Sequence, residues 1–108
     1  MRGFALALVL AALGVSSATA DAQEFNLVIR DHKFEPAEIR VPARKRVSIY
    51  VTNEDATPEE FESLPMKVEK VIPGKTKAVV RIGPLEPGRY EFFGEFNAAT
   101  ATGVMIAE

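Results

Sequence analysis

The stretch YEFFGEFNAATATGVMIAE, residues Tyr90 to Glu108, decides how this chain is read. An aromatic run, Tyr90-Glu91-Phe92-Phe93, alternates with period two, as in a strand with one buried face. Gly94 ends it, and a short polar segment follows. Gly103 then opens a second apolar run, with Val104 and Ile106 on one side and Met105 on the other. Two strands joined by a short loop belong to a β protein. The loop offers Gly94, Glu95 and Asn97, with no Cys and no His.

The same period extends upstream. In EFNLVIRD, Phe25, Leu27 and Ile29 share one face, and Glu24, Asn26 and Arg30 the other. RVSIYVTN sets Val47, Ile49 and Val51 against Ser48, Tyr50 and Thr52, and Asn53 closes the run. HKFEPAEIRVPA is punctuated by Pro36 and Pro42, so it is extended with bends rather than helical. VEKVIPGKT reads as a short strand ending in a Pro73-Gly74 turn, and KAVVRIG as a further strand. EDATPEEFESLPM is less regular: between Pro58 and Pro65 it holds either one helical turn or an edge segment. Short strands about ten residues apart, with Pro/Gly turns between them, predict an all-β, Greek-key β-sandwich of about seven or eight short strands. In PLEPGRY, the Gly88-Arg89-Tyr90 entry admits two readings, a tyrosine corner tied back to the backbone or an ordinary strand aromatic.

The amino terminus is different. Arg2 is followed by an apolar run from Phe4 through Val15 and then by small residues, with Ala18-Thr19-Ala20 in the A-x-A pattern. This is the layout of a secretory signal, cut after Ala20 or alternatively after Ala22. The run is short for a bilayer span; an uncleaved anchor is the other reading. The domain is then residues 21–108, and the expected location is the periplasm. Taking 20 of the 108 residues away leaves 88, and the loss of Arg2 shifts the net charge from −2 to −3. So mild an acidity gives no nucleic-acid surface, which needs clustered cations. With no cysteine, no disulfide staples the fold.

NEDATPEEFES, DHKFEPAEIRVPA, VEKVIPG, PLEPGRYEFFGEF and the closing GVMIAE together resemble the cupredoxin superfamily. Within it they are most similar to the EfeO-type cupredoxin-like domains of exported bacterial proteins. The resemblance spans nearly all of the chain after the signal. It implies a metal-binding protein, with copper or iron as cofactor, serving as accessory to a metal-uptake system. Its implied partners are the metal ion, an inner-membrane metal permease and that permease's periplasmic partners.

The departures are specific. A blue-copper site uses two imidazoles, a thiolate and a weak axial thioether. In the resemblance the Cys position falls at Gly94, the downstream His at Asn97, and the upstream His among Glu59, Glu60 and Phe61. EfeO-type domains commonly read GEFH where this chain reads GEFN. Blue-copper electron transfer is therefore excluded.

What remains is a mixed, exposed site drawn from Glu60, Glu62, Met66, Glu95 and His32. Clustered carboxylates suit hard cations, and in an extended segment Glu60 and Glu62 share one side while Glu59 and Phe61 share the other. The plainer reading of Glu54, Asp55, Glu59, Glu60 and Glu62 is an acidic loop facing water. Met66 is expected at the binding end beside the Gly94–Asn97 loop, where a thioether suits Cu(I), unless it plugs the rim of the core. Met105, inside a strand, is the poorer ligand. His32, the only histidine, joins a mixed site or is a strand-end residue held by a neighbouring carboxylate. The sequence reads as non-enzymatic: it has no Cys nucleophile, no Gly-x-Ser-x-Gly elbow and no phosphate-binding Gly loop. A metal-free interaction module docking on a periplasmic or membrane partner is the alternative function.

Overall fold

The computed structural model describes residues 23–108. The signal-peptide reading, with either cleavage point, lies outside the described residues. Nine strands follow in order: β1 (Gln23–Arg30), β2 (Lys33–Glu35), β3 (Glu38–Val41), β4 (Val47–Asn53), β5 (Glu59–Ser63), β6 (Val68–Ile72), β7 (Lys77–Ile82), β8 (Gly88–Gly94) and β9 (Thr102–Ala107). The expected count was seven or eight. The HKFEPAEIRVPA segment supplies two short strands, one on each side of Pro36.

One sheet has the order β2-β1-β4-β7 and the other β3-β9-β8-β5-β6. Most neighbours are antiparallel; β1 and β4 run parallel, as do β3 and β9. The chain crosses between sheets after β2 and again after β3, and this ties the two layers together. Period-two alternation is visible in burial: β4 alternates strictly between buried and half-buried residues. Leu27, Ile29, Ile49, Val51 and Val80 of one sheet meet Phe61, Ile72, Phe92 and Met105 of the other. Phe61 and Phe92 stack at 4.8 Å between ring centroids, and Phe34 meets Phe92 edge-on at 5.1 Å. Gly103 lies beneath the Phe92 ring, where a Cβ would come within 2.4 Å of it.

β5 corrects the sequence expectation. Glu59–Ser63 is neither a helical turn nor an edge: it lies between β8 and β6. Pairing alone puts it there, with Phe61 opposite Gly94 and Glu62 opposite both Phe93 and Glu69. Met105 is fully buried and belongs to the core, while Val104 and Ile106 are half-buried on the outer face.

The connections gather at two ends. The upper end holds the turn at Asp31-His32, the loop 54–58, the turn Pro73–Thr76 and the segment 95–101. The lower end holds the loop 42–46, the hairpin turn Leu64–Lys67 and the loop 83–87. The described chain starts at this lower end, because Gln23 pairs with Val47. Asn53, fully buried, binds the upper connections together: its Nδ2 donates to the carbonyls of Thr57 at 2.9 Å, Ile72 at 3.1 Å and Pro73 at 3.3 Å. Its carbonyl oxygen accepts from the Asp55 N–H at 3.0 Å.

At the lower end the Tyr90 hydroxyl donates to the Glu86 carbonyl at 2.7 Å, so the Gly-x-Tyr entry is a tyrosine corner. Tyr90→Phe keeps the ring and removes this bond. We expect a loss of about 1 kcal/mol, lowering the melting midpoint by about 4–8 °C for a domain of this size. A calorimetric melt reads it; an unchanged midpoint would assign Tyr90 to ring packing alone.

Candidate metal centre

β5 divides its acidic side chains between two faces. Glu59 is in phase with Phe61 and Ser63, so it points inward and is 1% exposed. Burying a carboxylate costs several kcal/mol unless its oxygens are satisfied. Here Oε1 accepts the N–H of Glu60 at 2.9 Å and that of Phe96 at 2.9 Å, and Oε2 accepts Asn97 Nδ2 at 2.8 Å. Hydrogen bonds to a charged group are worth about 1.5–3 kcal/mol each, so three offset a penalty of that size. The 3-10 turn Glu95–Asn97 is thereby fastened to β5. Backbone bonds complete it: Gly94 N–H to Ala101 O at 2.8 Å, and Ala101 N–H to Asn97 O at 2.8 Å. Gly94 has ordinary extended dihedrals. It is glycine for space, since a Cβ there would lie 2.5 Å from Glu59 Cδ and 2.8 Å from the Ala101 Cβ.

Glu59, Gly94 and Asn97 are among the positions at which the resemblance places an upstream His, a Cys and a downstream His. The structure does bring them together, but as an internal hydrogen-bonded unit. The Glu59 carboxylate occupies the space that a side chain at Gly94 would need, and the Asn97 amide points donors, not a lone pair, toward it. A blue-copper ion does not fit this donor set.

On the outer face of β5, Glu60 and Glu62 meet Glu95 from the 3-10 turn. One carboxylate oxygen from each lies within 4.8 Å of the others. Glu69 joins from β6, directly opposite Glu62. No ion pair among the described residues involves any of the four. Glu62 Oε1 is buried with no hydrogen-bond partner. The Glu62 carboxyl is pushed up to about 7, first because a proton on it can be shared with the adjacent Glu95 carboxylate, then by burial and by repulsion from Glu95, Glu69 and Glu60. Glu60 is raised too, chiefly by burial, then by the proton it can share with Glu69 and by repulsion from its neighbours. Oxygens this close can surround one cation at about 2.0–2.6 Å from each.

Two expected ligands lie elsewhere. Met66 is in the Leu64–Lys67 turn at the lower end, on the far side of β5 from Glu95. There it packs against the core, and its N–H donates to Ser63 Oγ at 3.2 Å. Its placement beside the Gly94–Asn97 loop was wrong because β5 is a strand that carries the chain to the other end, about 3.3 Å per residue. His32 is exposed in the β1–β2 turn and stands outside the carboxylate group. A carboxylate does hold it, but through the backbone: the N–H groups of Asp31 and His32 donate to Asp55 at 2.8 and 2.9 Å. These bonds, led by the one from His32, draw the Asp55 carboxyl below its ordinary value. The acidic run is therefore not one solvated loop. Glu54 pairs with Arg30, Asp55 closes a turn, Glu59 is internal, and Glu60 and Glu62 enter the outer cluster.

The model of the family described as cupredoxin-like domain matches residues 3–107. The chain belongs to the cupredoxin-like domain family. An uncharacterised protein of Rickettsia prowazekii (strain Madrid E) is 39% identical over 83 residues, covering 77% of this chain and 66% of that protein. Auracyanin A, a blue copper protein from Chloroflexus aurantiacus, superposes with a TM-score of 0.71 at 12% identity, over 81% of this chain and 99% of its own. The metal binding domain of the Cu(I)-exporting P-type ATPase of Streptococcus pneumoniae, solved with Cu(I), gives 0.70 at 18% identity, over 85% and 91%. At such identities the structural likeness establishes the cupredoxin fold alone.

Glu59→Gln leaves one acceptor oxygen for three donors. We expect a loss of about 1–3 kcal/mol, measured by denaturant unfolding. A second prediction concerns pH. The Glu62 carboxyl has its ordinary value of 4.5 in the unfolded chain and about 7 in the fold. The folded state thus binds the extra proton between these values, and stability falls as pH rises from 4.5 to 7. Glu62→Gln should melt above the parent at pH 8, and the difference should shrink toward zero near pH 4.5.

Proposed function

We propose that this cupredoxin-like protein is exported and binds a hard, highly charged cation at Glu60, Glu62 and Glu95. It would serve as accessory to a metal-uptake system of the inner membrane. The observation that carries this reading is the convergence of three carboxylates around a buried, unpartnered Glu62 oxygen. The ligand chemistry favours iron, Fe(III) above Fe(II), with Cu(II) as the copper alternative; carboxylate oxygen is a poor match for soft Cu(I). Met66 supplies no thioether here, and His32 no imidazole. Glu69 tightens the negative field without being one of the three nearest donors. The EfeO-type resemblance supports the uptake role and the permease as partner. The signal-like Ala18-Thr19-Ala20 segment supports a periplasmic location.

The second reading, a metal-free interaction module, draws on the filled interior site. Glu59 and Asn97 satisfy each other at positions where the resemblance puts copper-binding imidazoles, and Phe96 is 51% exposed beside the carboxylates. A scaffold can outlive its first function.

Calorimetric titration with Fe(II), Fe(III), Cu(II) and Cu(I) separates them. The cation reading requires saturable binding tighter than about 100 µM, about 5.5 kcal/mol. Affinity should fall in Glu62→Gln and rise as pH increases through 7, because proton and cation compete for the same oxygens. No binding of any of the four overturns it. If capture of a periplasmic protein is then lost in Glu60→Ala with Glu62→Ala, the module reading stands. Neither reading allows an intense thiolate-to-copper band.

A further inference from the structure

Three large apolar side chains are exposed among the described residues: Leu64 at 72%, Phe96 at 51% and Val71 at 49%. A single exposed apolar residue is ordinary, but these three border one group of carboxylates. Val71 stands directly opposite Glu60 on the neighbouring strand, so the two share the outer face. Leu64 continues the outward phase of Glu60 and Glu62, and with Glu62 and Glu69 it lines an open depression of about 260 Å³. Phe96 follows Glu95 in the 3-10 turn. On the other side of Glu62, opposite it on β8, lies the half-buried Phe93.

The carboxylates lack a protein partner of opposite charge. Glu60 is only 8% exposed, and no cation among the described residues pairs with it. Glu62 Oε1 is buried with no donor. Lys67 closes the hairpin through its N–H to the Leu64 carbonyl at 3.2 Å and borders the same depression. Its ammonium still pairs with neither Glu62 nor Glu69.

A bare metal ion would use these oxygens and leave the apolar rim uncovered. A ligand that uses both has a cationic head among apolar groups, as an arginine has within an apolar segment. The spacing is that of an extended chain. Outward residues on one strand are about 6.6–6.8 Å apart. Val71 beside Glu60, then Glu69 beside Glu62, then Leu64 are three such steps along the hairpin. An extended segment laid over them presents its alternate side chains at the same interval. An open depression suits a segment lying across a surface, whereas a small molecule needs an enclosing pocket.

We propose that the outer face of the β5–β6 hairpin docks an extended segment of a partner protein with the pattern apolar-x-Arg-x-apolar. The guanidinium enters among Glu62, Glu69 and Glu95. One flanking apolar side chain covers Leu64, and the other covers Val71 and Phe96. Arginine is preferred to lysine because its planar fork meets two carboxylates at once. The proposal rests on the module reading and deepens it; it uses the carboxylates of the cation reading without a metal.

The test is titration of the isotope-labelled protein, in buffer containing EDTA, with the capped peptide Gly-Leu-Ser-Arg-Ser-Leu-Gly, followed by amide chemical shifts. We expect saturable shifts confined to β5, β6, Phe93 and the Glu95–Asn97 turn. Replacing both peptide leucines by serine, or the arginine by citrulline, should weaken binding about tenfold. Leu64→Ser with Val71→Ser should do the same, as should Glu60→Gln with Glu62→Gln. Tyr90→Phe, at the other end, should bind as the parent does. No shift at millimolar peptide, equal affinity for either altered peptide, indifference to either protein pair, or shifts on another surface overturns the proposal. So does self-association of the protein that Leu64→Ser with Val71→Ser abolishes, which assigns the face to a second copy. Capture of a periplasmic protein through Glu60 and Glu62, with no affinity for the peptide, keeps the module reading and overturns this segment. With EDTA present, neither result bears on the cation reading.

Discussion

A buried carboxylate and three N–H donors organise the upper end of this domain. Glu59 lies where apolar contact alone would be unfavourable, so its oxygens must be met by protein groups. The donors come from its neighbour on β5 and from two residues of the 3-10 turn. The requirement fixes the neighbourhood. Position 94 must be glycine for lack of room beside the Glu59 carboxylate, the turn must bring Phe96 N–H inward, and position 97 must carry a donor. Here the carboxylate bridges the strand and the turn. Glycine at 94 and an amide at 97, where the resemblance puts a thiolate and an imidazole, are thus parts of one bonded arrangement.

That arrangement also forms the outer face. Fastening the turn through Phe96 and Asn97 leaves Glu95 projecting outward, and the pleat of β5 sends Glu60 and Glu62 to meet it. Adjacent residues on one strand therefore do opposite things. Glu59 is stabilised by donors, while Glu60 and Glu62 are held near other carboxylates with no positive partner. The fold holds like charges together against their repulsion, and the raised carboxyl groups record that constraint. Surfaces that hold like charges together are favourable places for an opposite charge to settle.

Much of this was legible in the sequence, and the limits have physical causes. Period-two alternation marked β1, β4, β7, β8 and β9 because each has one face in the core. β5 was harder, since its inward residues are Glu59 and Ser63 as well as Phe61, and polar side chains hide a buried face. The signal was present nonetheless: a carboxylate in phase with a phenylalanine must find donors. Glu69 was invisible to local reading because its proximity to Glu62 depends on the register of the β5–β6 hairpin. Met66 was misplaced for a related reason, since taking β5 for a loop left the next turn at the wrong end. Glu60, Glu62 and Glu95 came together because alternation and the position of the β8–β9 turn are both local properties.

The buried Asn53 joins more than the loops it touches. It holds the β6–β7 turn and, through Asp55, the β1–β2 turn, while the His32 carbonyl accepts from Thr100 Oγ1 at 2.7 Å. Four connections from two different sheets are thus laced into one rim. Such a rim has a mechanical consequence. Its segments cannot fray one at a time, because each is an anchor for the next, so thermal openings at this end should be rare and collective. The carboxylates rest on a rim whose connections hold one another, whereas the lower hairpin turn is closed mainly by bonds of its own, Lys67 N–H to Leu64 O and Met66 N–H to Ser63 Oγ, both at 3.2 Å.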